Sequence, residues 1–493
     1  MLLLNEMKKV LNYKKTAIFG ASLFLLLSSH SYAEQGVENQ ITVHREQMKK
    51  IVTVYLLIDE PAQLKRYVDD LKKIAKPNFN RVIFSFVRPS LPNYQSGSLA
   101  NTGILGYFDE GDGNGTEAFN QLKEAVTLSK QKSIETFLSV GGWNYSCNFS
   151  LYGENCGSKE MNYDYFPDPN DPSEADLAKT SYNNLITLTN DLGIDGVDFD
   201  YEEFWHADAY AESWAGQPWA TDIANNILKD GGATYDNLMK NATGSGSTFV
   251  MPKTVNKVQS ILHLIMDNPA ASQLRFASAA PPVGARPITG FVYGDNKEDI
   301  YTKGGVWWKG NLKGLWYNLA SKDKALVSRF DSLGLMTYDL CGNNAVVCAP
   351  YGGGPLDLPG QVSAYMKDYQ VWLKADKETE AKLNVSDIGK VDFYPAKYKI
   401  NSKIQFGFEV NQPAYPKDIN GQLQLTDKLV NQILQQQKNS DGVIIWQMYS
   451  GQNPSVEGAT TSRYTIQQSC KMFLADDSRY DCNANFPSSE NEQ

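Results

Sequence analysis

The chain has 493 residues, a formal net charge of -10, and 42% hydrophobic, 12% aromatic and 21% charged residues, a make-up that supports a large folded core and excludes disorder and coiled coil. The acidic balance argues against nucleic acid as a partner, because duplex binding draws on a basic face that releases phosphate counterions. A neutral or polar substrate fits better, and length alone leaves either several domains or one enlarged α/β barrel.

The first predicted element is not part of the fold. Lys8, Lys9, Lys14 and Lys15 precede an apolar run from Thr16 to Leu27, and Ser31-Tyr32-Ala33 supplies a small-x-Ala cleavage site; together they read as a secretory signal peptide over residues 1–33. An uncleaved anchor is the alternative, but the run is short of the ~20 residues that span a bilayer. The expectation is therefore export to the periplasm or beyond, with no membrane contact in the mature form. Residues 34–48 read as an N-terminal extension.

From residue 49 to 483 short apolar, β-branched runs alternate with helical periodicity, the pattern of βα units. Eight runs are predicted as strands: Ile51 to Ile58, Arg81 to Val87, Thr136 to Val140, Ile194 to Glu202, Leu274 to Ala280, Leu333 to Asp339, Ile404 to Glu409 and Val443 to Met448. Helices are predicted between them, among others over Glu60 to Lys73, Thr116 to Gln131, Glu174 to Leu192, Val255 to Leu264, Gln361 to Leu373 and Thr426 to Gln437, with a closing helix over Ser462 to Leu474. Eight units close a TIM (β/α)8 barrel. An open doubly wound sheet shows the same alternation, but no Gly-rich phosphate loop follows the first run. Residues 484–493 read as a polar tail.

The six cysteines fall into neighbouring pairs, Cys147 with Cys156, Cys341 with Cys348 and Cys470 with Cys482. Six allow 15 connectivities, and neighbour pairing is expected because it closes short loops at small entropic cost. A zinc site is not expected: of the histidines only His44, His206 and His263 follow the signal segment, and none has ligand spacing. No cofactor or metal is expected.

The fourth run reads Asp195-Gly196-Val197-Asp198-Phe199-Asp200-Tyr201-Glu202. Strand side chains alternate, so Asp198, Asp200 and Glu202 share one face and Val197, Phe199 and Tyr201 the other. Three carboxylates on the inward face of a central strand repel one another and lose solvation, so one should hold a proton near neutral pH, as a general acid must. A calcium loop also spaces acids at alternate positions, but it needs turn residues and a glycine where Val, Phe and Tyr stand here. A solvated edge strand would not carry so bulky an apolar opposite face. Glu202, last in the row, lies nearest the C-terminal mouth where barrel active sites sit.

Asp195-Gly-x-Asp-x-Asp-x-Glu202 resembles the signature of glycoside hydrolase family 18, the chitinases and their relatives. Ser139-Val140-Gly141-Gly142 resembles the family's S-x-G-G, Met336-Thr337-Tyr338-Asp339 its M-x-Y-D, and Trp446 the tryptophan that floors its sugar site. The resemblance spans roughly residues 50 to 450. It implies a secreted enzyme that cleaves β-1,4-linked N-acetylglucosamine polymers, chitin or its oligosaccharides, with retention through a substrate-assisted oxazolinium intermediate.

In that reading Glu202 protonates the glycosidic oxygen, Asp200 orients the 2-acetamido group, Asp198 shares a proton with Asp200, and Tyr338 and Asp339 position the acetamide. Trp446 stacks under the sugar, and Met336, Gly141, Gly142, Trp143, Tyr201 and Trp205 complete the substrate-binding set. Other readings on the same fold are an endo-β-N-acetylglucosaminidase acting on N-glycans and a non-catalytic chitin-binding lectin.

Three departures from the family bear on the cleft. Glu409 to Val443 leaves room for little beyond one helix, so the insertion found there in many chitinases is expected to be absent, giving an open groove and internal cleavage. Glu203-Phe204 replaces the frequent Tyr-Pro after the acid, and Tyr201 a frequent Trp. Trp205, Trp214, Trp219, Trp307, Trp308 and Trp316 fall in predicted loops on the catalytic side, where they would serve as sugar platforms. A monomer is expected.

Overall fold

The computed structural model describes residues 48–59, 61–106, 114–145, 165–203, 252–285, 312, 314–338, 340, 358–374, 398–410, 425–450 and 458–488. The chain divides into two units, Met1–Lys50 and Ile51–Gln493, and every element below belongs to the second. The signal segment, the extension up to residue 47, Trp205, Asp339, Cys147, Cys156, Cys341, Cys348, Trp214, Trp219, Trp307 and Trp308 lie outside the described residues.

Eight strands form a closed barrel in sequence order, each parallel to its neighbours. They are β1 (Ile51–Leu57), β2 (Arg81–Val87), β3 (Glu135–Gly141), β4 (Gly196–Asp200), β5 (Arg275–Ala280), β6 (Ser332–Leu335), β7 (Lys403–Glu409) and β8 (Gly442–Trp446). The helices are α1 (Pro61–Lys73), α2 (Gly115–Gln131), α3 (Ala175–Leu192), α4 (Pro252–Met266), α5 (Leu315–Lys322), α6 (Lys324–Val327), α7 (Leu358–Tyr369), α8 (Asp427–Gln436) and α9 (Ser462–Phe473). The TIM (β/α)8 reading holds. Four strands end earlier than the apolar runs predict, β1 at Leu57, β4 at Asp200, β6 at Leu335 and β8 at Trp446, so Glu202 and Tyr338 sit just beyond the ladder, on the chain that forms the mouth. Between β7 and β8 the described residues contain one helix, α8.

Register fixes which side chains fill the barrel. Thr53 pairs with Arg81, Arg81 with Glu135, Ser139 with Asp198, Asp198 with Ala277 and Glu409 with Trp446, and side chains in register share a face. The inward rows are unusually polar for a parallel barrel. At the N-terminal end of the strands Arg81, fully buried, donates to Glu135 Oε2 at 2.8 Å, Asp331 Oδ2 at 2.6 Å and Ser332 Oγ at 2.7 Å. Arg275 pairs with Glu135 and with Asp331 Oδ1. Burial opposes charge on Asp331, but Arg81, Arg275 and Lys403 outweigh it and hold the carboxyl well below its usual range. This lattice closes the barrel floor without leaving an unpaired buried charge.

The outward rows meet the helices; Phe406 and Phe408 of β7, for instance, pack edge to face, and Phe406 reaches Phe473 of α9.

Two expectations need correction here. Trp316 is not a loop platform: it lies in α5, is 2% exposed and packs edge to face on Phe330 at 5.0 Å. Leu315, Trp316, Tyr317, Leu319 and Ala320 form the buried face of a helix only eight residues long, whose periodicity spans too few turns to read. The polar tail does not begin at residue 484 either. Phe486 is fully buried, with its ring 5.2 Å from Phe79 and 6.0 Å from Tyr67. Asn78 Nδ2 donates to the Phe486 carbonyl at 2.8 Å, and the Ser488 amide to Asp70 Oδ2 at 2.9 Å. One phenylalanine among polar residues thus pins residues 484–488 onto α1 and the approach to β2. The third cysteine pair forms as expected, Cys470 to Cys482, with Cα atoms 5.2 Å apart.

Candidate active site

The site is built on β4. Asp198 and Asp200 point inward, as strand alternation requires, and are 0% and 3% exposed. Asp198 Oδ2 accepts from Ser139 Oγ of β3 at 2.7 Å and from Tyr55 OH of β1 at 3.1 Å. Burial raises the Asp198 carboxyl to about 6, although Ser139, Tyr55 and the Arg81 charge below it favour the ionised form. Asp200 is pushed well above the usual carboxylate range, by burial first and then by the neighbouring charges of Glu202 and Asp198.

Glu202, 9% exposed, hydrogen-bonds to Asp200. An ionised carboxylate can only accept, so a bond between two carboxyl groups requires that one of them hold a proton. Asp200 and Glu202 therefore share a proton, and Asp198, whose charge acts on Asp200, lies deeper in the same row, which runs from the barrel interior to its mouth. Such a row can keep a proton on an acid near neutral pH and hand it to a group arriving at the open end.

The two glycines after Ser139 permit this packing. Gly141 has φ +102°, and a Cβ there would stand 2.2 Å from the Asp200 carbonyl oxygen. Gly142, at φ +87°, donates its amide to that same carbonyl at 2.9 Å and would otherwise strike the ring of Phe86. Their contribution is close backbone approach to β4 rather than any side-chain chemistry. Asp195, first in the motif, holds the base of the strand: its Oδ2 accepts from the amide and hydroxyl of Thr136, both at 2.9 Å.

Trp446 ends β8 with a half-buried ring. It stacks on Phe86 at 5.5 Å and 27° and meets Tyr55 edge-on at 5.9 Å, which fixes one indole face and places the ring beside the acid row through Tyr55. Tyr338, also half-buried, is held by the preceding residue: Thr337 Oγ1 donates to the Gly407 carbonyl at 2.9 Å and accepts the Gly407 amide at 2.7 Å. Met336 is buried at 2% exposure. Trp143, half-buried, opens the short turn Trp143–Tyr145 after β3.

Tyr201 does not join this group. It is 2% exposed, stacks on Phe199 at 5.9 Å and 11°, lies 5.2 Å from Phe166, and donates to Glu203 Oε2 at 2.8 Å. Strand alternation sends it to the helix-facing side, so its expected substrate contact is corrected to a core role. Among the described residues the sequence reading missed Tyr55, Phe86 and the Glu203–Lys257 pair. The one signal for Tyr55 was a phenol in a strand otherwise built of Ile, Val, Leu and a single Thr.

Residues 32–265 match the model for glycosyl hydrolases family 18, a span that takes in β1 to β4 and all three acids and leaves Tyr338 and Trp446 outside. Endochitinase 1 of Metarhizium anisopliae is 29% identical over 92 residues, 18% of this chain and 16% of that protein, so the chain spans about a sixth of that relative's length. Among solved structures, a GH18 chitinase from Pseudoalteromonas aurantia is similar at 13% identity, covering 86% of this chain and 99% of its own, with a TM-score of 0.43. A plant class V chitinase mutant from Cycas revoluta in complex with (GlcNAc)3 is similar at 10% identity, covering 86% and 98%, with a TM-score of 0.38. The match to the glycosyl hydrolases family 18 model thus covers the part of the chain that builds the acid row.

Proposed function

We propose that this protein is a secreted glycoside hydrolase that cleaves β-1,4-linked N-acetylglucosamine polymers, chitin or its oligosaccharides, at internal bonds. The observation that carries the reading is the row of buried acids Asp198, Asp200 and Glu202 leading to the mouth of the barrel, with Glu202 hydrogen-bonded to Asp200, within the span of the family match.

Glu202, at the open end, donates its proton to the glycosidic oxygen and later accepts one from the attacking water. No second carboxylate need bond to C1, because the substrate's own 2-acetamido oxygen attacks it and forms an oxazolinium ion with retention of configuration. Asp200 accepts the acetamide N-H and opposes the developing positive charge. Asp198, held by Ser139 and Tyr55, keeps a second proton within reach so that Asp200 can change partner between steps. Tyr338 and Asp339 hold the acetamide from the far side, Trp446 presents its indole to the sugar ring, and Trp143 and Trp205 extend the contact. The remaining cysteine pairs, Cys147 with Cys156 and Cys341 with Cys348, are proposed to close as disulfides after export.

The test compares release from chitin oligosaccharides and from a high-mannose glycoprotein, with wild type and Glu202→Gln. Wild type should cut the oligosaccharides and the variant should not. Loss of glycan from the glycoprotein with intact oligosaccharides would replace this reading with an endo-β-N-acetylglucosaminidase, and binding without turnover of either would replace it with a lectin.

A further inference from the structure

The catalytic strand runs into two consecutive glutamates with opposite surroundings. Glu202 bonds to Asp200. Glu203, 4% exposed, turns to the other side, where Lys257 Nζ of α4 donates to both its oxygens at 2.8 and 3.1 Å. The Phe166 amide donates to Oε1 at 2.9 Å and Tyr201 OH to Oε2 at 2.8 Å. The Lys257 side chain is 13% exposed, and its ammonium lies 5.8 Å from the Tyr165 ring centroid.

A carboxylate with three donors on two oxygens is held in one place, and its position fixes the backbone one residue away, at Glu202. The titratable groups packed around the pair are Tyr165 and Asp168 before α3, Tyr182 on α3, Tyr201 after β4 and Glu202 itself. We propose that Lys257 is a positioning residue for Glu202, acting through Glu203: it pins the end of β4 and cancels the negative charge beside the acid. This rests on Glu202 being the general acid.

The sign of the charge effect gives the test. Lys257→Met leaves Glu203 unbalanced, so Glu202 binds its proton more tightly and the basic limb of the kcat against pH profile moves up. Glu203→Gln leaves Lys257 unbalanced, and the limb moves down. The double variant carries neither charge and keeps an amide oxygen for Tyr201, so its limb returns to the wild-type position.

With a GlcNAc oligosaccharide as substrate we expect shifts of about half a pH unit to one unit in opposite directions. Lys257→Met should lose about tenfold in kcat with KM within about twofold, and Lys257→Arg should stay within about threefold of wild type. Should Lys257→Met fail to fold, Glu203→Gln and the double variant carry the test. Limbs that stay put, or that move in the same direction, would overturn the proposal. A wild-type protein that leaves the oligosaccharide intact overturns the functional reading as well, and is recognised before any variant is made.

Discussion

Tyr55 of β1 donates its hydroxyl across the barrel interior to Asp198 of β4 at 3.1 Å, while its ring edge meets Trp446 of β8 at 5.9 Å. One residue thus ties the deepest acid to the aromatic floor, in a setting where burial and the charges of Asp198 and Asp200 raise the phenol well above its usual range. Tyr55→Phe removes a donor that favours ionised Asp198 and leaves the ring contact in place. It should lower stability by about 1 kcal/mol and raise the acidic limb of the activity profile. Thermal unfolding and a kcat against pH profile measure the two effects separately.

The raised carboxyl of Asp198 makes stability depend on pH. Its folded value of about 6 lies above the unfolded value of about 3.9, so the native state binds the proton more tightly. The stability this provides is complete below about pH 4 and is lost as pH rises through 6. Asp198→Asn, which keeps an oxygen for Ser139 and Tyr55, should therefore gain on wild type between pH 4 and pH 8 by on the order of 2–3 kcal/mol. Unfolding midpoints at the two pH values report the difference, and a gap that does not widen contradicts the assignment.

Glu202→Gln and Asp200→Asn should separate chemistry from binding. The first removes the proton donor and should lower kcat by about 10²- to 10⁴-fold with little change in KM. The second removes a group that acts on developing charge, so kcat should again fall further than affinity. Calorimetric binding of a GlcNAc oligosaccharide to each variant, beside steady-state rates, reads the split.

Gly141→Ala would place a methyl 2.2 Å from the Asp200 carbonyl in a backbone region that L side chains avoid. Backbone has to move, and a loss of about 2–4 kcal/mol is expected, measured by denaturant unfolding. Ala at Gly193, where φ is +70° but no atom lies within 4 Å, should cost only about 1 kcal/mol.

Phe486→Ala tests the chain-end clasp. Removing a fully buried ring from between Phe79 and Tyr67 should cost about 3–5 kcal/mol while leaving the kcat of the folded fraction unchanged. A residue in a solvated tail would cost nothing.

The barrel and the acid row were legible because they rest on periodicity. Eight apolar runs closed in order, and alternation alone placed Asp198 and Asp200 inward and Phe199 and Tyr201 outward. What stayed hidden depends on partners far apart in sequence. Nothing marks Tyr55 as an Asp198 donor until β1 and β4 face each other across the lumen, or joins Glu203 to Lys257 before α4 packs at the end of β4. Tyr201 shows the limit of motif reasoning, since its own alternation already sent it away from the cleft. Trp316 was misplaced because a helix of eight residues carries too little period to read, and Phe486 because one aromatic in a polar stretch carries none.

The most direct test of the substrate-assisted account compares a fully N-acetylated chitin oligosaccharide with its de-acetylated counterpart under identical conditions, following the products by proton NMR. The acetylated chain should be cut with the β-anomer appearing first, and the de-acetylated chain should stay intact, because it lacks the carbonyl that attacks C1. Equal cleavage of both, or initial release of the α-anomer, would contradict the role assigned to Glu202 and Asp200.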